Sequence, residues 1–237
     1  MKNRFKMFGF IAIAAVIGFS MAACGGDDND GGGGNGSFGN TLTITNAQVY
    51  SVDFTDSNIQ LIEFTDTVQD LNYVQVLGSS DDSGSVLKSL NELIDGNPTV
   101  TLINGKLNVT LGTPKTSSLQ NLDTGTMPQG ITVSKTGVKA FFLERFYNIS
   151  SDQSVSQYRT DSHVFTRIIY IYSNKDVNIN GTYTAYTDRD NEYSYTVTYA
   201  INLKTGWNSV IETPNQTREI TFWAGTPTAD CKWVISQ

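Results

Sequence analysis

Tyr193 Ser194 Tyr195 Thr196 Val197 Thr198 Tyr199 Ala200 Ile201 Asn202 Leu203 decides the fold. Every second residue from Tyr193 to Leu203 is aromatic or aliphatic, and those between are small or polar. Successive side chains point to opposite faces only in an extended chain, so a period of two predicts an amphipathic strand with one face on a core. Outward from it, Val177 to Tyr186 alternates around Asn180 and Gly181, after a turn at Ser173 to Asp176. On the other side Lys204 Thr205 Gly206 makes a turn and Trp207 to Glu212 returns. Thr213 to Thr217 turns again, and Glu219 to Ala224 and Lys232 to Ile235 complete a predicted antiparallel meander. Val164 to Tyr172 is apolar at successive positions, as in a central strand covered on both faces.

The amino-terminal half of the body carries the same signals. Leu42 and Ile44, Val49 to Phe54, Leu61 to Phe64 and Tyr73 to Leu77 predict short strands, and Ile131 to Val133 and Val138 to Tyr147 continue them. In Val100 to Leu111, Asn104 and Gly105 can both take positive φ, which predicts a two-residue type I′ hairpin. Val86, Leu87, Leu90, Leu93 and Ile94 form one helical stripe, with Ser83 or Ser85 as N-cap and Gly96 as stop, predicting one short helix over 85–95. Pro114 to Gly130 loses periodicity and reads as a long loop, or as a division between sub-domains near 115–130. The fold class expected is all-β, an antiparallel β-sandwich or barrel-like meander over 41–237.

Before the body, Gly25 to Asn40 holds eight glycines, one aromatic and no aliphatic side chain, too little apolar surface to offset the entropy of ordering. A flexible linker is expected there, following residues 1–23. These begin with Lys2, Arg4 and Lys6, continue apolar from Met7 to Met21 and end in Ala22 and Ala23, the three parts of an export signal. Its apolar core is shorter than the ~20 residues a membrane-spanning helix needs. With Cys24 directly after two alanines, the segment resembles the lipobox of bacterial lipoproteins, Met21 standing where Leu is usual. The resemblance implies cleavage before Cys24, a diacylglyceryl group on its sulfur and a further acyl chain, such as palmitate, on its new amino terminus. It further implies placement in the cell envelope, at the outer membrane, because Gly25 rather than Asp follows the cysteine. Two or more acyl chains hold a protein stably on a bilayer. The stretch from Lys175 to Tyr183, followed by Ile201 to Val210, also resembles parts of uncharacterised bacterial lipoproteins and implies no activity.

Charge and cysteine content narrow the function. Without Lys2, Arg4 and Lys6 the 16 basic residues fall to 13 against 23 acidic, a formal charge of −10 with no basic cluster. Nucleic acid and anionic lipid headgroups are therefore not expected partners. Once Cys24 is acylated, Cys231 has no second cysteine to pair with, so packing must supply the stability.

Reactive constellations are sparse. His163 is the single histidine, with Asp161 two residues away and no Gly-x-Ser-x-Gly elbow to present a nucleophile. Asp188, Asp190 and Glu192 alternate as calcium ligands do, but Tyr193 stands where the loop needs glycine, so no metal site is expected. Glu144, Glu212 and Glu219 are the carboxylates in or beside strands that a glycoside-cleaving pair would draw on. The positive signal is aromatic: most of the eleven tyrosines and three tryptophans lie from Tyr147 onward. Such rings combine rigid apolar area with a polar handle, which suits glycan or protein recognition as well as a β core. The expectation is a non-catalytic, cofactor-free envelope protein with a binding or structural role. Tyr193, Tyr195, Tyr199, Trp207 and Trp223 are the candidate ligand residues. An extracytoplasmic hydrolase using a carboxylate pair is the alternative.

Overall fold

The computed structural model describes residues 36–55, 58–77, 85–123, 125, 127–159, 166–186, 194–215, 218–228 and 230–236. In chain order the strands are β1 (Ser37–Gly39), β2 (Leu42–Thr55), β3 (Asn58–Glu63), β4 (Tyr73–Leu77), β5 (Ser85–Ser89), β6 (Thr99–Ile103), β7 (Lys106–Leu111), β8 (Gln120–Asn121) and β9 (Ile131–Val133). They continue as β10 (Lys139–Leu143), β11 (Arg145–Asn148), β12 (Gln153–Arg159), β13 (Thr166–Ser173), β14 (Val177–Tyr186), β15 (Ser194–Leu203), β16 (Gly206–Pro214), β17 (Glu219–Ala224) and β18 (Cys231–Ser236). A single turn of helix, α1 (Leu90–Leu93), follows β5. The fold is all-β, and the sheet does not close into a barrel.

Its centre is β13. One edge pairs with β16 from Arg167 to Ser173, and the other pairs with β12 and then β10. Beyond β16 lie β17, β15, β14 and β9 in turn. Beyond β12 lie β18 and β2, and β2 carries β3 and the β6–β7 hairpin. The carboxyl-terminal strands are thus not a simple meander. The strand β17 inserts between β15 and β16 and runs parallel to β15, and β18 runs parallel to β2. The reason is that β13 pairs with one edge of β16 from Gly206 to Glu212, leaving β17 to fill the slot on its other edge from Val210 to Pro214.

The expectation that β13 is covered on both faces is borne out by two cores. Ile168, Tyr170 and Tyr172 face the first, with Phe141, Leu143, Trp207, Ile211 and Trp233. Ile169 and Ile171 face the second, with Val210, Ile201, Leu203, Val177 and Ile179. Because β10, β13 and β16 supply side chains to both, the two cores are built on shared strands. The stretch from Pro114 to Gly130 adds a 3-10 turn at Thr116–Ser118 and β8, and sends Leu122 into the second core.

Two boundaries differ from expectation. The helix predicted over 85–95 is confined to Leu90–Leu93, because residues 85–89 pair with β4, leaving Val86 and Leu87 50% and 40% exposed. Tertiary pairing outweighs the helical stripe, whose carboxyl-terminal part alone, Leu90, Leu93 and Ile94, reaches the core. Of the linker expected over 25–40, residues 25–35 lie outside the described residues, and Ser37–Gly39 form β1, since its one aromatic, Phe38, packs on the first core with its ring 5.8 Å from that of Tyr170. The hairpin at Asn104 and Gly105 forms as predicted, with φ of 48° and 71°. A Cβ at Gly105 would lie 1.7 Å from the Phe64 carbonyl oxygen, so close approach as well as φ requires glycine there.

Candidate functional site

The face of β14, β15, β17 and β16 that bears the second core continues past it as a half-exposed strip. Register fixes its composition. Tyr158 lies opposite Arg167, Arg167 opposite Glu212, Glu212 opposite Phe222 and Phe222 opposite Tyr199. Side chains in register sit on one face, about 4.8 Å from strand to strand. Phe222, Tyr199 and Tyr183 form a ladder of nearly parallel rings, with centroids 5.0 and 6.3 Å apart. Burial pushes the Tyr199 hydroxyl up to about 12, with Tyr183 and Glu212 adding to the effect.

Beside the ladder, where β15 and β17 begin and β16 ends, lies an open pocket of about 420 Å³, within the range of small-ligand sites. Tyr195, Pro214 and Ile220 form its apolar wall, and Ser194, Asn215, Arg218 and Glu219 supply polar groups. Hydrogen bonds shape the rim. Asn215 Nδ2 donates to Glu219 Oε2 at 2.5 Å, the Glu219 amide to Asn215 Oδ1 at 2.8 Å, and the Thr196 amide to the Arg218 carbonyl at 2.9 Å.

The carboxylates singled out in the sequence are partly brought together. Arg167 donates through Nη1 to Glu144 Oε2 at 2.6 Å and through Nε to Glu212 Oε2 at 2.6 Å. Burial alone would lower the Arg167 guanidinium, but the two carboxylates outweigh it and raise it, keeping the group charged. The guanidinium fills the space between Glu144 and Glu212 that a scissile bond and its water would need, so the trio acts as a brace joining β13, β16 and the end of β10. Glu219 stands apart, at the pocket rim.

The five aromatic candidates divide. Tyr195 lines the pocket and Tyr199 the ladder. Trp207 is corrected from ligand residue to core: it is 0% exposed, edge-on to Phe141 and Tyr172, with Nε1 donating to the Gly112 carbonyl at 2.9 Å. Its neighbour β13 supplies rings on that face, and the first core closes over them. Trp223 is 37% exposed, but on the opposite face of β17, beside a cross-strand row of Thr182, Thr198, Thr221 and Thr213. Tyr193 lies outside the described residues, as do Cys24, Asp161, His163, Asp188, Asp190 and Glu192. Among the described residues no group of three metal-ligating side chains converges, and no helix is long and apolar enough to cross a membrane.

Tyr183, Phe222 and Arg167 were not singled out in the sequence. Alternation in β14 and β17 could have flagged the first two, but only register places them beside Tyr199. No protein-family model, curated protein or solved structure matches this chain.

Proposed function

We propose that the protein is an exported lipoprotein of the cell envelope, held at the outer membrane through acyl chains on Cys24, whose β body is a non-catalytic binding module. The observation that carries the binding role is the half-exposed ladder Tyr183, Tyr199 and Phe222 running beside the pocket of Tyr195. The three rings pack on the edge of the second core and stay partly exposed, and aromatic anchors next to a concave site dominate recognition energetics. The Arg167 brace favours binding over hydrolysis, since the carboxylate pair is occupied by a side chain of the protein itself.

Two measurements test the two halves of the proposal. Labelled palmitate should enter the wild type and not Cys24→Ser, and that variant should move from the membrane to the soluble fraction; unchanged partition would refute the anchor. The full-length protein in detergent should retain glycans or envelope proteins from an arrayed panel. Tyr199→Ala should weaken retention by about tenfold, as truncation of a central aromatic anchor does. Equal retention by Tyr199→Ala and wild type would remove the binding face.

A further inference from the structure

Resting on the binding role above, we infer that the pocket beside Tyr195 takes one neutral pyranoside unit of a carbohydrate chain, and that the chain continues over the ring ladder. The pocket has the two surfaces such a unit presents. A pyranoside has an apolar face of C–H groups and a rim of hydroxyls that each donate and accept. Tyr195, Pro214 and Ile220 supply apolar wall, whereas Ser194, Asn215, Arg218 and Glu219 supply both donors and acceptors around it.

Charge selects the class. Arg218 and Glu219 line the same open pocket with opposite charges, so a uronate or a protonated amino sugar loses to one what it gains from the other and must still desolvate its own charge. A neutral sugar meets neither penalty. The formal charge of −7 on the whole chain adds a weak, long-range bias against anionic glycans.

A peptide fits less well, because extended peptides gain affinity by pairing with free backbone at a sheet edge. Here β15 is flanked by β14 and β17, and β17 by β15 and β16. The backbone at the rim is already engaged, with the Asn215 amide on the Glu219 carbonyl at 2.8 Å and the Thr196 amide on the Arg218 carbonyl at 2.9 Å.

The ladder sets the direction of the chain. Ile220 precedes Phe222 by two residues on one strand and Tyr195 precedes Tyr199 by four on the next, so the rings lie about 7–14 Å from the pocket wall. A single sugar in the pocket leaves the ladder untouched, whereas a chain covers both.

The test is calorimetric titration of the full-length protein in detergent micelles. The probes are methyl pyranosides, linear neutral gluco- and manno-oligosaccharides, oligouronates and oligomers of protonated amino sugars. Neutral oligosaccharides should bind about tenfold or more tightly than methyl pyranosides and than either charged series. Tyr195→Ala should lose about tenfold, Tyr195→Phe should stay within about threefold, and Glu219→Gln should improve oligouronate binding about fivefold, since only the like charge is removed. Thermal melts of each variant separate lost binding from lost folding. Preference for a charged series, equal affinity for single sugars and chains, or an unchanged uronate affinity in Glu219→Gln would overturn the inference. If sugars fail but an envelope protein binds and loses affinity in Tyr199→Ala, the pyranoside assignment falls and the binding role survives. If nothing in either panel binds, both fall.

Discussion

Replacing Trp207 by Phe tests the division between core and surface aromatics. The substitution keeps one ring against Phe141 and Tyr172 but removes the indole N–H that the Gly112 carbonyl accepts at 2.9 Å. Leaving that carbonyl unpaired beside a fully buried side chain costs about 1–3 kcal/mol, and the space vacated by the smaller ring adds about 1 kcal/mol. For a body of this size each kcal/mol lowers Tm by about 2–4 °C, so Trp207→Phe should melt about 5–15 °C below wild type. Trp207→Ala removes the ring contacts as well and, with the unpaired carbonyl, costs about 4–8 kcal/mol, comparable to the whole stability of a domain, so little folded protein should accumulate. Trp223→Phe loses only a 3.3 Å bond to Thr213 Oγ1 at an exposed site and should stay within about 0.5 kcal/mol of wild type. Urea denaturation followed by far-UV circular dichroism reads all three without relying on tryptophan emission. Equal midpoints for Trp207→Phe and Trp223→Phe would refute the placement of Trp207 in the core and restore it as a ligand residue.

Gly181→Ala should cost about 3 kcal/mol or more in a denaturant titration, because a Cβ there would lie 2.0 Å from the Gly130 carbonyl oxygen at φ of +132°. Gly96→Ala, at φ of +80° with nothing within 4 Å, should cost only about 1 kcal/mol. Tyr199 keeps its proton to about 12 in the folded protein against about 10 in an unfolded chain. The fold therefore binds that proton more tightly, and the resulting stability is fully present below pH 10 and lost as pH rises to about 12. Denaturation midpoints across that window should fall less steeply in Tyr199→Phe than in wild type.

What was legible in the sequence was what local chemistry dictates. The alternation of Tyr193 to Leu203 is a property of one strand, and the turn at Asn104 and Gly105 is settled by two adjacent residues, so both were readable. The insertion of β17 between β15 and β16 depends on which edges remain free after β13 takes its partners, a competition that no single segment records. The candidate site fails to announce itself for the same reason. Tyr195 and Tyr199 were visible as alternating aromatics, but Phe222 lies 23 positions from Tyr199 and Arg167 45 from Glu212. Their juxtaposition is a matter of register. Trp207 is buried although its strand alone does not show it, because burial of an aromatic in a β body is decided by the rings packed on it, here Phe141 and Tyr172.

Together, the proposed anchor and the proposed site define an orientation. The described chain starts at Gly36, whose carbonyl accepts the Ser209 amide at 2.8 Å, while Ser209 Oγ donates to the Gly225 carbonyl at 2.5 Å. The body therefore receives the chain beside Ser209 and Gly225. The pocket lies at Pro214 and Ile220, further along β16 from Ser209 and at the end of β17 away from Gly225. Five residues along each strand separate the two, about 17 Å at strand rise. If, as proposed, Cys24 bears the lipid, the chain comes from the bilayer to the body at Gly36. On that proposal the attachment end faces the bilayer and the pocket faces away from it. Fluorophores on Asn40→Cys and on Asn215→Cys, each in a Cys231→Ser background, report this in liposomes carrying headgroup nitroxides. The label at 40 should be quenched strongly and the label at 215 weakly. Equal or stronger quenching at 215 would mean that the body lies with its pocket on the membrane, and a soluble chain could not then be the ligand that the pocket is open to receive.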